Sequence, residues 1–135
     1  MTLRRTKLLS VQSVTGIATV GIFTAGVTNT GAGVAGTTYF RGLISHNTGL
    51  ATCTSALYVY PSGVDAITGY GHTEYRLSKV DLAANETFFF ETNYPLVLTD
   101  QDKIVVEVGA PDIGGSGIGS AVNYQILGDT DNWNR

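Results

Sequence analysis

The sequence predicts an all-β protein, an antiparallel β-sandwich of jelly-roll type with seven to nine short strands and a basic N-terminal arm. Three observations carry that expectation. Runs rich in Val, Ile, Thr, Tyr and Phe alternate apolar and polar residues with period two. Clusters of Gly, Pro, Asn and Asp separate these runs at short, fairly regular intervals. No segment sustains the 3.6-residue apolar period over the roughly 10–12 residues that a helix requires. At 135 residues the chain fits one domain, long enough to bury a core without disulfide staples. Its single cysteine, Cys53, excludes an internal disulfide framework.

Leu8–Val14 opens as a first strand. Gly16–Thr24 is a second, with Ile17, Thr19, Gly21 and Phe23 on one face and Ala18, Val20 and Ile22 on the other. Apolar residues on both faces suit a strand covered on both sides. Residues 25–36 hold Gly26, Gly31, Gly33 and Gly36 and read as a loop. They lack a GxGxxG match leading into a helix, which argues against a phosphate cradle. Thr37–His46 is the third strand, turned by Asn47-Thr48-Gly49. Thr52–Tyr60 is the fourth, with Cys53, Ser55, Leu57 and Val59 expected toward the core and Thr54, Ala56, Tyr58 and Tyr60 away from it. Pro61-Ser62-Gly63 ends it.

Glu74–Val80 is the fifth strand and Glu86–Glu91 the sixth, with Phe88 and Phe90 inward and Phe89 outward. Leu96–Leu98 is a separate apolar step. Lys103–Val108 alternates with Ile104, Val106 and Val108 inward, and Ala121–Leu127 is the last strand. The resulting division is residues 1–15 as an N-terminal arm or first strand, 16–128 as the sandwich, and 129–135 as a polar C-terminal tail.

Charge is uneven. Residues 1–64 carry +4 and residues 65–135 carry −7, which together make the net −3 of the chain. Arg4, Arg5 and Lys7 supply most of the early positive charge, with Leu3 and Leu8 beside them. Such an arm suits docking on an acidic patch of a neighbouring subunit. The negative total and the lack of a recurring basic stripe argue against nucleic acid. No apolar run reaches membrane-spanning length, and Gln12, Ser13, Thr15 and Gly16 interrupt any signal-peptide core.

Material for catalysis is thin, and the expectation is a non-enzyme without cofactor or metal. His72 and Glu74 would share a face of an extended segment, but no third ligand follows from spacing. Asp129–Asn134 begins like a calcium loop and fails where Trp133 replaces an oxygen ligand. Asp100 and Asp102 read as turn formers, and Cys53 as a small buried residue. Tyr58, Tyr60 and Phe89 are the candidate exposed aromatics of a contact surface. Tyr58, Tyr60, Tyr70 and Trp133 would be the stacking residues if the chain were a carbohydrate-binding module.

Several stretches from Phe23 onward resemble one family. They are Phe23-Thr24 before Ala25-Gly26; Ile44-Ser45-His46-Asn47-Thr48-Gly49; Leu57-Tyr58-Val59-Tyr60-Pro61-Ser62-Gly63; Leu82 to Thr87, matching Leu-Ala-x-Asn-Glu-Thr; and Leu98 to Asp102, where Gln101 stands in place of the family's Gly. Together they resemble the small β-sandwich virion proteins of tailed bacteriophages, of the capsid decoration (cement) or neck–tail accessory type. The resemblance implies a structural subunit of the particle, most simply a decoration protein on the outer shell. Neck, tail or fibre accessory roles are the alternative. Its partners would be the major capsid protein or neighbouring virion subunits, with homo-oligomerisation, and its location the virion, assembled in the host cytoplasm.

Overall fold

A computed structural model describes residues 2–25, 37–62, 73–99, 101–111 and 114–132, with backbone only for 2–10 and 131–132. Eight strands run β1 Thr2–Thr15, β2 Ala18–Thr24, β3 Thr37–Asn47, β4 Cys53–Tyr60, β5 Arg76–Leu82, β6 Thr87–Leu98, β7 Lys103–Gly109 and β8 Ala121–Asn132. One 3-10 turn, Thr73–Tyr75, precedes β5. Two four-stranded sheets form, ordered β1-β8-β3-β6 (sheet A) and β2-β7-β4-β5 (sheet B), with antiparallel pairing throughout. Consecutive strands alternate between the sheets except β4 and β5, which pair with each other in sheet B. This is the eight-strand, two-sheet order of a jelly roll.

The expected antiparallel sandwich is therefore the fold. Between the sheets lie Val14, Ile22, Phe40, Leu43, Cys53, Leu57, Leu82, Leu98, Ile104, Val106, Val108, Val122, Tyr124 and Ile126, all buried. Phe88 and Phe90 pack against them, and Phe90 stacks on Phe40 with centroids 6.3 Å apart. Burial pushes the Cys53 thiol up, so it stays protonated and behaves as a small apolar side chain.

Three local departures from the sequence expectation stand out, the first two of them caused by irregular register. First, β6 is continuous from Thr87 to Leu98, where two short pieces were expected. On β3, Phe40 pairs with Leu96 and Gly42 with Glu91, so residues 92–95 bulge from the ladder opposite Arg41. Pro95 is tolerated there because β6 is an edge strand. Second, a register shift between Gly21 and Phe23 lets Phe23 join Ala18, Val20 and Ile22 against the core, although strict alternation placed it on the opposite face. Third, the polar tail expected from Asp129 is the end of β8: Asp129, Thr130, Asp131 and Asn132 pair with Arg5, Arg4, Leu3 and Thr2. Asp129 itself is 2% exposed and accepts a hydrogen bond from Arg41 Nε at 2.8 Å.

One buried tyrosine makes stability depend on alkaline pH. The hydroxyls of Tyr124 and Ser55 are 2.7 Å apart in the core, and burial pushes the phenol up to about 12. An unfolded tyrosine titrates near ~10. The stabilising difference is complete below that pH and is lost as pH rises toward the folded value. Unfolding free energy should fall by about 2 kcal/mol between pH ~10 and ~12 from this residue. Tyr124→Phe should flatten that slope in denaturant titrations run at several pH values.

Candidate interaction surfaces

The strand order gathers four connections at one end of the sandwich: β1–β2, β3–β4, β5–β6 and β7–β8. Backbone hydrogen bonds lock them together. Gly16 N–H donates to Ser120 O (2.9 Å), Thr48 N–H to Ala121 O (2.7 Å), Leu50 N–H to Gly119 O (3.1 Å), and Asn85 N–H to Asn47 O (2.7 Å). Asn47, fully buried, is the hub. Its Nδ2 donates to Ala51 O at 2.8 Å and Leu82 O at 3.1 Å, and its Oδ1 accepts from Gly49 N–H at 2.9 Å. Asn47 and the stretch from Leu82 to Glu86, far apart in the chain, hold each other here.

On this rigid pole stand three exposed aliphatic side chains: Leu50 is 94% exposed, Ile118 75% and Ile17 56%. Each lies within one residue of a hydrogen bond that joins two loops. Glu86 is the only charged residue among the described residues of these four turns, and its carboxylate accepts from Ala83 N–H. A fixed, nearly uncharged apolar tip is a contact surface prepared in advance, since little loop entropy remains to be lost on binding.

The outer faces of the two sheets differ. On sheet B, Tyr58 and Tyr60 point away from the core, as the alternation required, but they are not exposed. They are buried with Ala56 and Val105 in a second cluster under Tyr75. Tyr60 meets Tyr58 edge-on and Tyr75 at a tilt, each at 5.7 Å. Tyr58 donates its hydroxyl to Glu107 Oε1 at 2.7 Å, and burial followed by that carboxylate pushes its pKa up. The expectation that these two tyrosines form a contact surface is thus corrected: the chain's own Tyr75 covers them. Beside them lies a shallow depression of about 200 Å³ edged by Arg76, Lys79 and Glu107, smaller than the ~300–1,000 Å³ usual for small-molecule sites.

Sheet A is open on its outer face. Phe89 is 61% exposed there, Val97 57%, Val11 55% and Leu127 37%. Ile44 is half-buried between Phe89 and Gln125 in the ladder. Tyr94, in the β6 bulge at the rim, is 84% exposed.

The remaining predicted contact residues, Leu3, Arg4, Arg5, Lys7 and Leu8, lie in β1. Thr2 to Lys7 pair with Leu127 to Asn132 of the same chain, so this stretch is an edge strand of sheet A where a projecting arm was expected. Their side chains lie outside the described residues, as do His72, Asp100, Tyr70 and Trp133. Among the described residues no group of three or more His, Cys, Asp or Glu is placed to hold a metal. Asp102 is a turn former, accepting from Thr99 N–H and Ser62 N–H. The sequence reading missed the pole, because Ile17, Leu50 and Ile118 lie in three turns far apart in the chain. The available signal was a large aliphatic residue inside or beside each Gly-rich turn.

No family model matches the chain, and no curated protein matches it. A solved structure, PirA, is similar in outline: 10% identical, covering 90% of this chain and 94% of that one, with a TM-score of 0.49.

Proposed function

We propose that this protein is a structural subunit of a tailed-phage particle, a decoration protein seated on the outer shell. The motif resemblance supplies the virion context. The apolar pole supplies the means of attachment and is the observation that carries this reading. Leu50, Ile118 and Ile17 enter an apolar recess on the shell, while the hydrogen-bonded loops beneath hold them in place. Three side chains make a small footprint compared with the ~800 Å² per partner of a stable complex. Each seat is therefore weak, and many copies act together.

Copy number on purified particles tests the reading. Hundreds of copies on the head support it; a few copies confined to the tail would replace it with a neck or tail accessory role. Leu50→Ser combined with Ile118→Ser should leave the fold intact, since both positions are exposed, and should reduce particle occupancy at least tenfold in quantitative mass spectrometry. Unchanged occupancy would remove the pole from the mechanism. The carbohydrate-binding reading is weakened by the burial of Tyr58 and Tyr60, two of its four proposed stacking residues.

A further inference from the structure

We propose that the outer face of sheet A packs against the same face of a second copy, around a two-fold axis parallel to the strands. This does not rest on the virion reading and applies to the isolated chain.

The first argument is size. Four strands spaced ~4.8 Å apart, with an eleven-residue central strand rising ~3.3 Å per residue, project a face of roughly 700 Å². That is close to the ~800 Å² each partner contributes in a standard interface. The face is flanked by edge strands that resist edge-to-edge pairing: β6 carries the 92–95 bulge and Pro95, and β1 carries two register shifts. Association through the face is the route left open.

The second argument is the order of residues across the sheet, which is self-complementary. One row across the strands is polar and satisfied within itself: Ser13 donates to Asn123, and His46 Nδ1 and the Thr87 hydroxyl are 2.6 Å apart. The next row is largely apolar, with Phe89 and Ile44 at one end, then Gln125, and Val11 at the β1 bulge opposite it. The third row holds Leu127, Gly42 and the exposed Glu91 on β8, β3 and β6. A two-fold axis along the strands lays β1 of one copy over β6 of the other and keeps each row on itself. Phe89 then meets the second copy's Val11. The polar first row meets the polar first row of the second copy, and Ile44 lies across from the second copy's Gln125. The same axis points both apolar poles in one direction.

The test is sedimentation equilibrium on the full chain at about 100 µM, where a micromolar complex is saturated. A dimer is expected, and Phe89→Asp should weaken it at least tenfold while leaving unchanged the thermal midpoint of the dilute, dissociated chain, where Phe89 is largely solvent-exposed. Val11→Asp, on the opposite edge strand, should weaken it as well. A monomeric wild-type chain, or a dimer indifferent to Phe89→Asp or to Val11→Asp, would overturn the proposal. A dimer that never appears on particles would defeat the virion reading and leave this one standing. A monomeric chain whose particle occupancy depends on Phe89 would give the face to a different virion protein.

Discussion

Asn47→Ala should be among the most damaging single substitutions in the chain, lowering unfolding free energy by about 3–4 kcal/mol. The side chain is fully buried and ties its own turn to the end of β5. Removing it strips the carbonyls of Ala51 and Leu82 of their donor and Gly49 N–H of its acceptor. Each bond is worth about 1 kcal/mol net, and each buried group left unpaired costs about 1–3 kcal/mol more. Asn47→Asp separates hydrogen bonding from shape. It retains an acceptor for Gly49 but points a carboxylate at two carbonyl oxygens. At neutral pH it should be at least as damaging as alanine. Protonation restores one donor and removes the charge, so the folded-state pKa of this aspartate is raised. Its stability should therefore recover as pH falls, opposite in sign to the usual acid destabilisation. Urea titrations of both variants at two pH values check the direction.

The same residue shows where sequence reasoning reaches and where it stops. Asn47-Thr48-Gly49 is legible as a turn because its residue types favour one. That Asn47 also binds Leu82 and lies beside Ala121 depends on which strands neighbour each other, and strand order is not encoded in local pattern. The inward alternation of Ile104, Val106 and Val108 was legible, since a period of two marks one face of a strand. Tyr58 and Tyr60 were read correctly as facing away from the core and incorrectly as exposed. Alternation tells on which side of a sheet a residue lies, but not what the chain later lays over that side; Tyr75, in a different element, does so here. Phe23 and the continuity of β6 were misread because bulges break the period on which the reading depended. The pole was invisible for the strongest form of this reason. Ile17, Leu50 and Ile118 are unremarkable one at a time, and only the jelly-roll connections place them together.

Gly49→Ala is the second large expected effect, about 3 kcal/mol, and it links the fold directly to the pole. A Cβ at this position would stand 2.4 Å from Gly119 O and 2.5 Å from Ala121 N. Both are backbone atoms, so no rotamer change relieves the overlap. They belong to the loop that accepts hydrogen bonds from Leu50 and Thr48, so the β3–β4 turn must part from the β7–β8 loop. Gly16 provides the contrast. Its φ is +76° but nothing lies within 4 Å of its would-be Cβ, so Gly16→Ala should cost only the ~1 kcal/mol of left-handed backbone. The two variants should differ in where the damage falls as well as in size. Gly49→Ala should speed amide exchange at Leu50 and Thr48, whose N–H groups bridge the two loops, whereas Gly16→Ala should leave those amides protected. If the pole acts through rigid placement of Leu50, then under conditions where both variants remain folded, Gly49→Ala should lose particle occupancy and Gly16→Ala should keep it. Equal occupancy would mean that the exposed aliphatics bind without the scaffold beneath them.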